Sequence, residues 1–116
     1  MYTILHNTRC TKSREAIKIM EESGKDFIIR EYLKEYLTFE ELKEILNILK
    51  IKAIDLVRVN EKIWKEEFMD KEFTNDEIIQ IMIDNPKLIQ RPIVLKNNDG
   101  VIGRPVENIQ IFLNTK

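Results

Sequence analysis

One cysteine and one histidine are all that this chain of 116 residues holds of those two types. A single thiol cannot form an internal disulfide, and it excludes both a Cys-x-x-Cys redox pair and a multi-cysteine zinc site. Any thiol redox chemistry must therefore borrow its second sulfur from another molecule. Metal ligands are equally scarce, because the acidic residues are spread along amphipathic segments, so neither a metal nor a tightly bound cofactor is expected. Charge of one sign is not in excess: 19 Lys+Arg against 20 Asp+Glu leave a net charge of -1. That balance argues against a strongly basic surface, and no nucleic-acid partner is expected. No apolar run approaches the roughly 20 residues that span a bilayer. The opening "MYTILHN" lacks the basic and apolar regions of a secretion signal, so no membrane association and a cytoplasmic location are expected. Internal repeats, linkers and low-complexity segments are absent as well.

What is present is a balanced composition, 43% hydrophobic and 34% charged, in a length suited to one domain with one core. "YTIL" is a short apolar run. "TKSREAIKIMEESG" then switches to helical period, with Ala16, Ile17 and Met20 on one face and Gly24 as the stop. "KDFIIREY" is β-branched and aromatic, which predicts a second strand parallel to the first through a right-handed crossover. Thr38 with Glu41, and Thr74 with Glu77, are capping-box signatures ahead of apolar stripes, and they predict two helices with Asn85-Pro86 closing the second. Shorter helical pieces are expected between them, around Ile54, Val57, Trp64 and Phe68. "RPIVL", "NNDG" and "VIG" predict a hairpin with positive φ angles at Asn98, Asp99 and Gly100. "RPVENIQIFL" predicts a last helix that begins with Pro105 in its first turn. The order is βαβ, a helical insert over about 38–90, then ββα. It predicts an α/β fold of thioredoxin-like type, a single domain over 1–116 built on a four-stranded mixed sheet with helices on both faces.

The scarce pair falls in one stretch, "LHNTRCTKSRE" at residues 5–15. Cys10 stands where the first strand gives way to a helix, and there unpaired backbone N–H groups and the helix dipole favour a thiolate. Ser13 can hydrogen-bond the sulfur from the first turn. His6, at the strand end, can supply a cation or a hydrogen bond. The bland alternatives are a small buried hydrophobe for Cys10 and a strand-end hydrogen-bonding residue for His6.

Four stretches in order, "HNTRCTKSR", "LVRVNE", "LIQRPIV" and "GRP", resemble the glutaredoxin-coupled arsenate reductases of the ArsC family, which are related to the Spx regulators. The resemblance runs almost from end to end. It implies that Cys10 is the catalytic cysteine and that Arg58, Arg91 and Arg104 surround it and bind substrate. Guanidinium forks suit a tetrahedral oxyanion such as arsenate, although a surface ion pair is the ordinary fate of any one arginine. It also implies a cis bond at Arg91-Pro92, facing the cysteine. Two positions depart from the family's usual residues, Thr8 in place of proline and Thr11 in place of glycine.

The implied activity is reduction of arsenate to arsenite through a covalent adduct on Cys10. With no second thiol in the chain, glutathione serves as co-substrate and a glutaredoxin resolves the mixed disulfide. A monomer is expected. Two other readings stand beside it: an Spx-like transcription regulator that binds RNA polymerase, and a monothiol glutaredoxin-like thiol transferase. Ser13, where such regulators carry the second cysteine of their switch, weighs against the first.

Overall fold

The short apolar run in "YTILH" favours a strand, and the computed structural model, which describes residues 1–6 and 10–114, has that strand, β1, at Tyr2–His6, with Ile4 and Leu5 both buried on opposite faces. Helix α1 (Thr11–Ser23) follows and ends on Gly24, whose φ of 73° is a left-handed C-cap that glycine adopts at no steric cost. Strand β2 (Phe27–Glu31) runs parallel to β1, with Tyr2 opposite Phe27 and His6 opposite Glu31. Strands β3 (Ile93–Lys96) and β4 (Asp99–Ile102) complete a mixed sheet of order β2-β1-β3-β4, with β3 antiparallel to both its neighbours. Helix α6 (Glu107–Asn114) closes this part of the chain.

These elements form one compact unit, residues 1–35 with 91–116. Its core lies on the face of the sheet covered by α1 and α6. Tyr2, Ile4 and Val94 from the strands meet Ala16 and Met20, one helical turn apart, and Ile109, Phe112 and Leu113. The Tyr2 and Phe112 rings meet edge to face at 6.0 Å. His6, two residues beyond Ile4, stands on this same α1-facing side of β1.

The second unit, residues 36–90, is helical. Helices α2 (Phe39–Leu49) and α5 (Asn75–Asp84) each begin with a complete capping box, Thr38 with Glu41 and Thr74 with Glu77. Short helices α3 (Ala53–Leu56) and α4 (Lys62–Glu67) lie between them. Asn75 Oδ1 accepts the Ala53 N–H at 2.8 Å, and Lys43 reaches Asp76 at 3.2 Å, so the start of α5 is tied to both α3 and α2. A single 3₁₀ turn, Pro86–Leu88, ends the unit. Among the described residues no helix is long and apolar enough to cross a membrane.

Two local expectations are corrected. The positive φ of the β3–β4 hairpin falls on Asn97 (54°), while Asp99 and Gly100 already pair with Lys96 and Leu95 in β4. Pro105 does not open the last helix: α6 begins at Glu107, and the Arg104-Pro105 bond is cis. Asn108 fills the gap, its side-chain amide donating to the carbonyls of Ile102 (3.4 Å) and Arg104 (3.2 Å). In that way a polar side chain satisfies carbonyls that no helix turn reaches.

Candidate active site

Cys10 is the N-cap of α1, with extended backbone angles (φ -98°, ψ 121°) and a carbonyl that accepts the Arg14 N–H at 3.1 Å. No acidic side chain occupies the first turn of the helix. The residue is buried, 9% exposed. Burial pushes the thiol pKa up, but hydrogen bonds outweigh it, from the Ser13 backbone N–H, the Arg91 side chain, the Lys12 backbone N–H and the Ser13 hydroxyl. The net effect lowers the pKa from 9.0 to about 7, so close to half of the thiol is ionised at neutral pH. Ser13 is fully buried and supplies two of those bonds, which is why a small hydroxyl suits a position that would otherwise take a core residue.

Arg91 and Arg104 converge on the same sulfur. Arg91 precedes β3, and its bond to Pro92 is cis, in agreement with the resemblance. Arg104 follows β4; its Nη2 donates to Cys10 Sγ at 3.5 Å and its Nε to the Arg91 carbonyl at 2.6 Å. The two strand ends are held together at this point by the Gly103 N–H, which donates to the Pro92 carbonyl at 2.8 Å. Gly103 is glycine for a steric reason. A Cβ there would lie 2.6 Å from Ile109 Cδ1 and 2.9 Å from the Pro92 ring.

His6 is 6% exposed, and its Nδ1 has no hydrogen-bond partner among the described residues. Burial lowers its pKa from 6.5, aided by the charge of Arg14 and opposed by Glu31 and a hydrogen bond with the Ser13 backbone. Of the two roles the sequence offered, the cation is therefore disfavoured at neutral pH. The neutral, hydrogen-bonding imidazole is what this environment supports.

Arg58 belongs to the helical unit. Its backbone N–H donates to the Leu88 carbonyl at 2.7 Å, and its Nη1 meets Glu61 Oε1 at 2.5 Å. The structure thus brings His6, Cys10, Ser13, Arg91 and Arg104 together within one compact unit and places Arg58 in the other. Thr8 lies outside the described residues. Thr11 is the first residue of α1, and its Oγ1 accepts from Arg14 at 3.3 Å.

Sequence reasoning did not single out the Lys12 N–H as a donor to the sulfur, nor Glu31 as the charge facing His6. The first carries no side-chain signal at all. The second was implicit in the parallel register that sets His6 opposite Glu31. Among the described residues no group of three or more His, Cys, Asp or Glu could hold a metal ion.

A buried thiol with a lowered pKa and two guanidinium groups on it can attack an electrophile and hold an anion at the same point. The ArsC family model matches residues 5–112. An arsenate reductase from Neisseria meningitidis is 39% identical over 112 residues, 95% of this chain and 96% of that protein. Another from Haemophilus influenzae is 32% identical over 108 residues, 91% of this chain and 93% of that one. The solved structure of an arsenate reductase from Vibrio cholerae superposes with a TM-score of 0.90 at 32% identity, covering 95% of both chains.

Proposed function

The chain belongs to the ArsC family, and from that premise we propose that it reduces arsenate to arsenite through a covalent adduct on Cys10, with glutathione and a glutaredoxin as external thiols. One observation carries the reading: Cys10, with a pKa brought to about 7, receives hydrogen bonds from both the Arg91 and the Arg104 side chains.

The Cys10 thiolate attacks arsenic(V), the S–As bond forms, and one arsenate oxygen leaves as hydroxide that is protonated to water. Arg91 and Arg104 hold the remaining oxygens and stabilise the charge that builds on them in the crowded intermediate. A guanidinium carries its charge permanently, so stabilisation of this kind requires no proton movement. Ser13, with Arg91 and the Lys12 N–H, favours the ionised sulfur before attack.

Two electrons must then reach arsenic. Glutathione thiolate attacks the Cys10 sulfur, the S–As electron pair passes to arsenic, and arsenite leaves as arsenic(III). Cys10 is left as a mixed disulfide with glutathione. The glutaredoxin thiolate attacks the glutathione sulfur, and Cys10 is released as thiolate for the next cycle. The single cysteine of the chain makes an external thiol necessary for this sequence of steps.

NADPH oxidation coupled through glutathione reductase tests the proposal. The expected result is oxidation that requires arsenate, glutathione and glutaredoxin together and is lost in Cys10→Ser. Oxidation that persists without arsenate, or in Cys10→Ser, would place the chemistry elsewhere.

A further inference from the structure

We propose that two copies of this chain pair through the open edge of β2, antiparallel and centred on Ile28, to make one continuous eight-stranded sheet. This inference is independent of the reaction at Cys10, and it departs from the monomer expected from the sequence.

Strand β2 is at the edge of the sheet, and Ile28 and Ile29 are 52% and 46% exposed. The Tyr2 N–H donates to the Asp26 carbonyl at 3.0 Å, so even-numbered residues of the strand turn their peptide groups toward β1. Phe27, Ile29 and Glu31 therefore turn theirs to the open side. Both ends of the open segment are defined. Gly24 breaks the chain direction before Lys25, and the Glu31 carbonyl is taken by the N–H groups of Lys34 (2.9 Å) and Glu35 (2.8 Å).

Edge strands are usually guarded by proline, by bulges or by a charge in the middle of the run. This one has Phe27, Ile28 and Ile29 in the middle and charges only at its ends. Those charges are arranged as a palindrome of opposite sign: Lys25 and Asp26 before the apolar residues, Arg30 and Glu31 after them. Pairing about Ile28 sets Ile28 against Ile28, Phe27 against Ile29, Asp26 against Arg30 and Lys25 against Glu31. Phe27 and Ile29 then exchange about four main-chain hydrogen bonds across the two-fold axis.

Only registers that put outward residues opposite outward residues are open, and the neighbouring ones fail on charge. Centring on Ile29 sets Arg30 against Ile28 and Glu31 against Phe27. Centring on Arg30 sets two guanidinium groups face to face. Centring on Phe27 sets Asp26 against Ile28 and Lys25 against Ile29. The Arg30 Nε donates to the Glu35 carbonyl at 3.4 Å.

A single strand pair buries less than the roughly 1,000 Å² of a stable interface, so the association is weak and concentration-dependent. Exposed ion pairs add little strength and act mainly to fix the register.

Sedimentation velocity from about 10 μM to about 1 mM reads the equilibrium. The expected result is a reversible monomer–dimer equilibrium. Ile28→Lys puts two ammonium groups opposite each other at the two-fold axis and weakens it by about tenfold or more. Asp26→Arg weakens it similarly, and Asp26→Arg combined with Arg30→Asp restores it. A monomer at every concentration overturns the proposal. So does a dimer indifferent to Ile28→Lys, or a charge swap that fails to restore pairing.

Discussion

Arg104 and Cys10, 94 positions apart in sequence, meet through an Nη2–Sγ contact of 3.5 Å. The same guanidinium donates from Nε to the Arg91 carbonyl at 2.6 Å. One planar group thereby holds a fixed distance between the loop before β3 and the thiol at the start of α1. An ammonium group keeps the charge but cannot span both partners in that geometry. Arg104→Lys should therefore lower kcat/KM for arsenate by about ten- to a hundredfold, in keeping with loss of a charge-assisted hydrogen bond. Its thermal unfolding should stay close to wild type. Steady-state kinetics and unfolding on the same preparation check both; unchanged kinetics would remove Arg104 from the oxyanion site.

Ser13 supplies both a backbone and a side-chain bond to the sulfur, and only the second can be deleted. In Ser13→Ala the thiol pKa should rise from about 7 toward 9.0. The thiolate fraction at pH 7, and with it the alkylation rate, should then fall several-fold. Iodoacetamide labelling against pH gives the midpoint. An unshifted midpoint would assign the whole effect to the backbone N–H groups and to Arg91.

Folding stability should carry the same signature. Since the folded pKa of Cys10 is lowered from 9.0 to about 7, the thiolate stabilises the folded state fully above pH 9. That contribution is lost as pH falls through 7. The difference in Tm between wild type and Cys10→Ser should therefore shift in favour of wild type as pH is raised across this window. A flat difference would mean that the thiol titrates alike in both states.

Gly103→Ala tests the packing behind the site. The added methyl meets Ile109 at 2.6 and 2.9 Å and the Pro92 ring at 2.9 Å, and the ring cannot turn aside as a flexible side chain can. A loss of about 1–3 kcal/mol is expected from overpacking of this kind. Chemical denaturation measures it. Wild-type stability would show that Ile109 has room to move.

Much of the fold was legible because its signals are local. The two capping boxes at Thr38 and Thr74, Gly24 as a left-handed stop and the apolar pattern of "YTIL" each act within a few residues. The hairpin was less so: Asn97, Asn98, Asp99 and Gly100 all tolerate positive φ, and only the pairing of Lys96 with Asp99 confines the turn to Asn97 and Asn98, of which Asn97 takes the positive φ. Pro105 was misplaced because a proline suits a helix start and a loop equally well, and Asn108 capping the Ile102 and Arg104 carbonyls leaves no local trace. At the site, the position of Cys10 at a helix start could be read directly. The state of His6 could not, since it depends on burial beneath α1 and on a charge brought opposite by β2.

A thiolate at Cys10 within an oxyanion site makes alkylation of Cys10 depend both on pH and on arsenate. The expected result is a midpoint near pH 7 and saturable protection by arsenate that is weakened in Arg104→Lys. A midpoint near 9.0, with arsenate giving no protection at any concentration, would contradict it.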